Sequence, residues 1–361
     1  MLKTEIPKRL GLKAGEFVEV RSKDEILSTL DENARLDELP FMPQMLQFCG
    51  GTFQVYKRVH KVCSFATKPP GNRMFDTVNL KGVQCDGHAY GGCEMECFIL
   101  WKEAWLKRIE PSRSHADPSR SVERVTYGSG CTENDVWKGT RAHQDKAGED
   151  DPMYVCQATQ LPYATQRLSR WDLGQYVEDY VSGNASISKI LSALLFQLYH
   201  QFVVGSGIGL GSFFRLLYDV FQHLRGGSPY PWRRGEVPKN QRTPSATLDL
   251  KVGEFVRVRA YREILKTLDC DWKNRGLGFH AELSVHCGKT YKVQQRPRKL
   301  IDEKTGKLIT MSNELIVLEG AVCEGRYTEP LHCPRASYPY WREVWLERVQ
   351  EKASAAADKR G

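Results

Sequence analysis

The chain contains the same stretch twice, and this constrains its fold more than any other feature. GEFVEVRSKDEILSTLD at residues 15–31 returns as GEFVRVRAYREILKTLD at residues 253–269. Over residues 15–61, 20 of 47 positions are identical to their counterparts 238 residues later. Cys49-Gly50 is answered by Cys287-Gly288 and Cys85 by Cys323. After a two-residue insertion, Trp101 and Trp105 are answered by Trp341 and Trp345. A chain of 361 residues has room for two or three domains, and the repeat supplies two of them. Positions common to both copies are read as framework, and positions found in one copy as candidates for a task.

Each copy opens with a Gly-Glu turn and a short alternating strand, Phe17 to Val20 or Phe255 to Val258. A charged helical turn follows, then a helix-like stretch before Cys-Gly, and then two further strands. An aromatic strand ending Trp-Leu-x-Arg closes the copy. Short strands separated by turns over so few residues predict a small antiparallel barrel. The expected fold class is α+β, mainly β: two repeated small antiparallel barrels with a helical insertion between them. The expected boundaries are a first repeat at 1–109, an insertion at 110–245, a second repeat at 246–350 and a disordered tail at 351–361.

The opening Gly-x-Phe-Val-x-Val and the closing Trp-Leu-x-Arg are similar to SH3-like barrels, which implies that the first and last strands of each copy pair. The doubled pattern, with its Cys-rich first copy and the terminal CPRASYPYWREVWLER, resembles a functionally uncharacterised family of bacterial Cys-rich proteins with two SH3-like repeats. That resemblance implies an architecture and brings no activity with it.

Within the insertion, residues 110–130 read as a loop and 170–182 as a helix. Residues 187–224 are the most apolar of the chain and pause at GSGIGLG, residues 205–211. The first apolar run is shorter than the ~20 residues a membrane span needs and carries Gln197, His200 and Gln201. We expect a helical hairpin there, with contact to a membrane surface through 187–224 as the alternative. The glycines are read as helix punctuation, because a phosphate-binding loop follows a strand.

The cysteines separate the copies. The first copy alone adds Cys63, opposite Ile301, and Cys97, opposite Ser337. It therefore holds Cys63, Cys85, Cys93 and Cys97. Four thiolates suit Zn²⁺ or an Fe–S cluster, and Cys63 and Cys85 end neighbouring predicted strands. These four are the expected metal ligands. Cys131 and Cys156 are alternative or additional ligands, and His60 or His88 is close enough in sequence to replace a thiolate. The second copy lacks two of the four and is expected to be metal-free.

Eleven cysteines, and an opening Met1 to Arg9 with no apolar stretch behind it, lead us to expect a cytoplasmic protein with reduced thiols. The expected function is that of a metal- or Fe–S-binding accessory, redox or sulfur-handling component of a bacterial biosynthetic pathway. Whether it is an enzyme stays open. A net charge of +8, from 52 basic and 44 acidic residues, keeps a nucleic-acid-binding tandem barrel as one alternative. A peripheral membrane or complex-assembly factor with a protein partner is the other.

Overall fold

The computed structural model describes residues 4–7, 9–64, 66–67, 71–109, 124–127, 130–142, 152–205, 210–327 and 329–349. Two compact units emerge. Unit 1 comprises Met1–Ile190, Lys299–Ile309 and Glu329–Ala336, and unit 2 comprises Leu191–Arg298, Thr310–Thr328 and Ser337–Gly361. These bounds differ from those expected. The insertion is divided at residue 190, and two stretches of the second repeat belong to unit 1. The expected tail and most of the 110–130 loop lie outside the described residues. Within that loop, Arg124–Tyr127 is a strand that pairs antiparallel with Thr4–Pro7.

Unit 1 contains, in chain order, β1 (Phe17–Val20), α1 (Lys23–Thr29), β2 (Thr52–Arg58), β3 (Lys61–Cys63), β4 (Gly71–Arg73), β5 (Thr77–Gln84), β6 (Phe98–Lys102), β7 (Leu106–Arg108), α2 (Gln157–Ala164), β8 (Gln166–Arg167) and α3 (Gly174–Val181). A five-stranded sheet runs β7-β1-β2-β5-β6, and a smaller one runs β8-β4-β3. All described pairings within these sheets are antiparallel. In β1, Val18 and Val20 point into the core while Phe17 is exposed, as the period of a half-buried strand requires. Ser22 and Glu25 form a reciprocal cap at the start of α1.

Unit 2 takes α4 (Ile187–Gly205) from Leu191 onward, then α5 (Leu210–Leu224), β9 (Phe255–Val258), α6 (Tyr261–Leu265), β10 (Thr290–Gln295), β11 (Val317–Leu318) and β12 (Leu346–Arg348). Its sheet runs β11-β10-β9-β12, with a further bridge from Ile316 to Trp341. Strand for strand, this is the order seen in unit 1, and the first and last strands of each repeat pair with each other.

The agreement extends to single residues. Phe41 packs edge-on to Trp101 and Trp105 at 6.3 and 5.3 Å. Phe279 does the same to Trp341 and Trp345 at 6.2 and 5.2 Å. All four tryptophans are fully enclosed. Trp105 Nε1 donates to Thr29 Oγ1 at 3.1 Å, and Trp345 Nε1 donates to Thr267 Oγ1 at 2.9 Å. The carboxylate of Glu103 accepts the backbone N–H groups of Leu10, Gly11 and Leu12, and that of Glu343 accepts those of Leu248, Asp249 and Leu250. The tryptophans are core, as their presence in both copies predicts.

α4 and α5 form the expected hairpin. Phe196 meets Tyr218, while Tyr199 and Phe202 meet Phe214, so residue numbers fall along one helix as they rise along the other. No helix among the described residues is long and apolar enough to cross a membrane.

Candidate metal centre

Cys85 follows β5 and Cys97 precedes β6, so the two strands deliver both residues to the stems of one loop. Cys85 N donates to Cys97 O at 2.8 Å and closes that loop. Unit 2 repeats this bond between Cys323 N and Ser337 O at 2.9 Å. The backbone at this spot is therefore framework, and the thiol at position 97 is what the first copy adds.

Inside the loop a short helical turn, His88–Tyr90, is set between left-handed Gly87 and Gly91. Cys93 N donates to Tyr90 O at 3.2 Å, which turns Cys93 inward. Gly87 is a glycine for a steric reason: a Cβ there would lie 1.8 Å from Cys93 O.

The fourth thiol comes from the insertion. Cys156 caps α2, and α2 is pinned to the sheet by the buried amide of Gln157. Its Oε1 accepts Leu100 N at 2.8 Å, and its Nε2 donates to Leu100 O at 2.8 Å and to Pro40 O at 3.1 Å. That amide serves as a short strand partner for β6 and holds Cys156 over the loop.

Cys85, Cys93 and Cys97, three of the four expected residues, thus share a region with Cys156. The thiol of Cys85 is raised by Cys156 and Cys93, that of Cys156 by Cys93, and that of Cys97 by Cys85 and Cys156. Burial is the larger cause in each case and pushes Cys85 up to about 12. Three of the sulfurs accept a backbone N–H from two residues further on: Cys85 from Gly87, Cys93 from Met95 and Cys156 from Ala158. Gln44 Nε2 also donates to Cys85 Sγ at 3.0 Å. Donors aimed at sulfur favour the thiolate, while burial without a cation favours the thiol.

Cys63, the remaining expected ligand, has Cys333 as its sulfur neighbour. Its N–H donates to Cys333 Sγ at 3.2 Å. The reason is the contribution of the second repeat to unit 1, which places residues 329–336 beside β3. Cys131 has Asp135 and Asp31 as its charged neighbours. His88 is exposed, and His60 is buried against Asp179, 3.2 Å from its Oδ1. Among the described residues, no three His, Cys, Asp or Glu side chains are grouped so as to hold a metal ion.

No family model and no curated protein matches the chain.

Several basic side chains are paired: Lys61 is wholly buried on Asp179, Arg73 pairs with Asp172, Arg233 with Asp219, and Arg296 with Asp249 and Glu314. Arg215 lies over the ring of Tyr230.

Proposed function

We propose that unit 1 carries an iron–sulfur cluster on Cys85, Cys93, Cys97 and Cys156, and that the protein is an accessory redox or sulfur-handling component of a cytoplasmic pathway. One observation carries this reading: three thiols of one loop and a fourth from the insertion feel one another's charge, and three of them accept N–H donors from their own backbone. A lone Zn²⁺ requires every sulfur about 2.3 Å from a single point. A cluster is also held by four thiolates but spaces them around a core of iron and sulfide rather than about one point. Metal binding would also reverse the upward pKa shifts, since a coordinating thiol is deprotonated. The pairing of first and last strands in both repeats supports reading them as SH3-like barrels.

The test is iron and acid-labile sulfide analysis of protein purified without oxygen, together with visible absorbance. Cys97→Ser and Cys156→Ser should lose iron, and Cys63→Ser should keep it. Retention of full iron by Cys156→Ser, or wild-type protein that accepts only zinc on anaerobic reconstitution, would sink the proposal.

A further inference from the structure

The Cys63–Cys333 contact is not used by the proposed centre, and neither repeat contains it alone. Cys63 ends β3, while Cys333 lies 270 residues away in the second repeat, where its counterpart in the first is Cys93. Besides the 3.2 Å bond from Cys63 N to Cys333 Sγ, the two thiols hydrogen-bond to each other.

Two buried ion pairs flank them. On one side Arg335 Nη1 donates to Cys63 O at 2.9 Å, and its guanidinium forms a fork with the carboxylate of Glu303. On the other side Lys61 Nζ meets Asp179 Oδ2 at 2.5 Å and feels the charge of Cys333. Cys333 is enclosed, whereas Cys63 is partly exposed. A reagent must therefore enter at Cys63, the less enclosed residue of the pair, and be hardly larger than water.

We propose that Cys63 and Cys333 are a reversible disulfide site that responds to hydrogen peroxide. The sulfur of Cys63 attacks one peroxide oxygen, an S–O bond forms as the O–O bond breaks, and the departing hydroxide takes the thiol proton and leaves as water. The sulfur of Cys333 then attacks the Cys63 sulfur, the S–O bond breaks, and a second water leaves with the Cys333 proton. Two thiols are oxidised to one disulfide, and one peroxide is reduced to two waters. The hydrogen bond to Cys333 and burial push the Cys63 thiol well above its ordinary value and Arg335 offsets this only in part, so the attack on peroxide is slow and gains from rising pH. The closed bond ties the 329–336 segment to β3, and the guanidinium of Arg335 lies within electrostatic reach of both Cys63 and Cys97.

The experiment uses the full chain. Protein is treated with hydrogen peroxide, remaining thiols are capped by alkylation, and the digest is read by mass spectrometry. A peptide joining Cys63 to Cys333 is expected, lighter than its parts by two hydrogen atoms and reopened by dithiothreitol. Cys63→Ser and Cys333→Ser should each abolish it and Cys131→Ser should leave it, with Cys63→Ala as a second variant if serine disturbs β3. Two alkylatable thiols at 63 and 333 after other cysteines have oxidised overturn the proposal, as does linkage of either to a third cysteine. Iron content is measured separately, so a linked protein without iron counts against the cluster alone.

Discussion

At the residue scale, the differences between the two copies are as informative as the identities. Phe48 and Phe53 meet edge-on at 5.6 Å in the first copy, and Phe48 also meets Trp101 at 6.2 Å. In the second copy the same places hold His286 and Tyr291, at 5.4 Å from each other, with His286 at 5.8 Å from Trp341. The imidazole Nδ1 and the phenol hydroxyl now share a 2.6 Å hydrogen bond. Burial, followed by the charge of Lys289, pulls His286 down from 6.5 to about 4. Between those two pH values the unfolded chain binds a proton that the folded state refuses, so stability rises with pH there. The His286 contribution is complete above pH 6.5 and is lost as the pH falls toward 4. We expect the double change His286→Phe/Tyr291→Phe, which restores the pair of the first copy, to flatten this part of the pH profile. Urea midpoints of both proteins at pH values on either side of the window would check it, and an unchanged slope would refute it.

At the element scale, the hairpin shows what periodicity reveals and what it leaves out. The apolar run was legible as a helix, a glycine break and a second helix, and α4 and α5 fall there. Which face packs was less legible, because leucines lie all round α4. In the structure Ile190, Ala193 and Val203 are buried, while Leu191, Leu195, Leu198 and Phe202 stay exposed at spacings of three and four residues. Packing therefore selects the smaller residues for the inner face, beside the aromatic group of Phe196, His200 and Trp232. A polar residue at an exposed position removes no packing, so Leu198→Gln should alter stability by no more than about 0.5 kcal/mol. Enlarging the inner face forces neighbours apart, so Ala193→Leu should cost about 1–3 kcal/mol. Thermal denaturation of the two variants beside wild type decides this, and equal losses would mean the faces are assigned wrongly.

At the scale of the molecule, the repeat predicted two similar sheets and gave no sign that the second copy lends pieces to unit 1. Spacing rules named Cys85, Cys93 and Cys97 together because one loop carries them. They offered Cys156 only as an alternative or additional ligand, since it reaches the region through α2 and the Gln157 amide, and they gave no sign that Cys63 would meet Cys333, 270 residues away. Long-range burial decides such pairings, and local pattern does not encode it. The lent segments supply hydrogen-bond partners to unit 1. Asn79, fully buried, donates from its Nδ2 to Pro334 O at 3.0 Å, and Cys63 O accepts from Arg335. Glu94 N donates to Lys299 O at 2.8 Å. A fragment of residues 1–190 would keep every strand of the five-stranded sheet and lose all three partners. A buried polar group left without its partner, as Asn79 would be, costs about 1–3 kcal/mol, and a whole domain holds only about 5–15 kcal/mol in reserve. We therefore expect the fragment to lose fixed side-chain packing, with near-UV circular dichroism collapsing and amide protection in β5 and β6 falling toward that of an open chain. Adding residues 299–336 as a separate peptide should restore part of that protection. A fragment as protected as the full chain would show that the first repeat and insertion specify unit 1 without help from the second repeat.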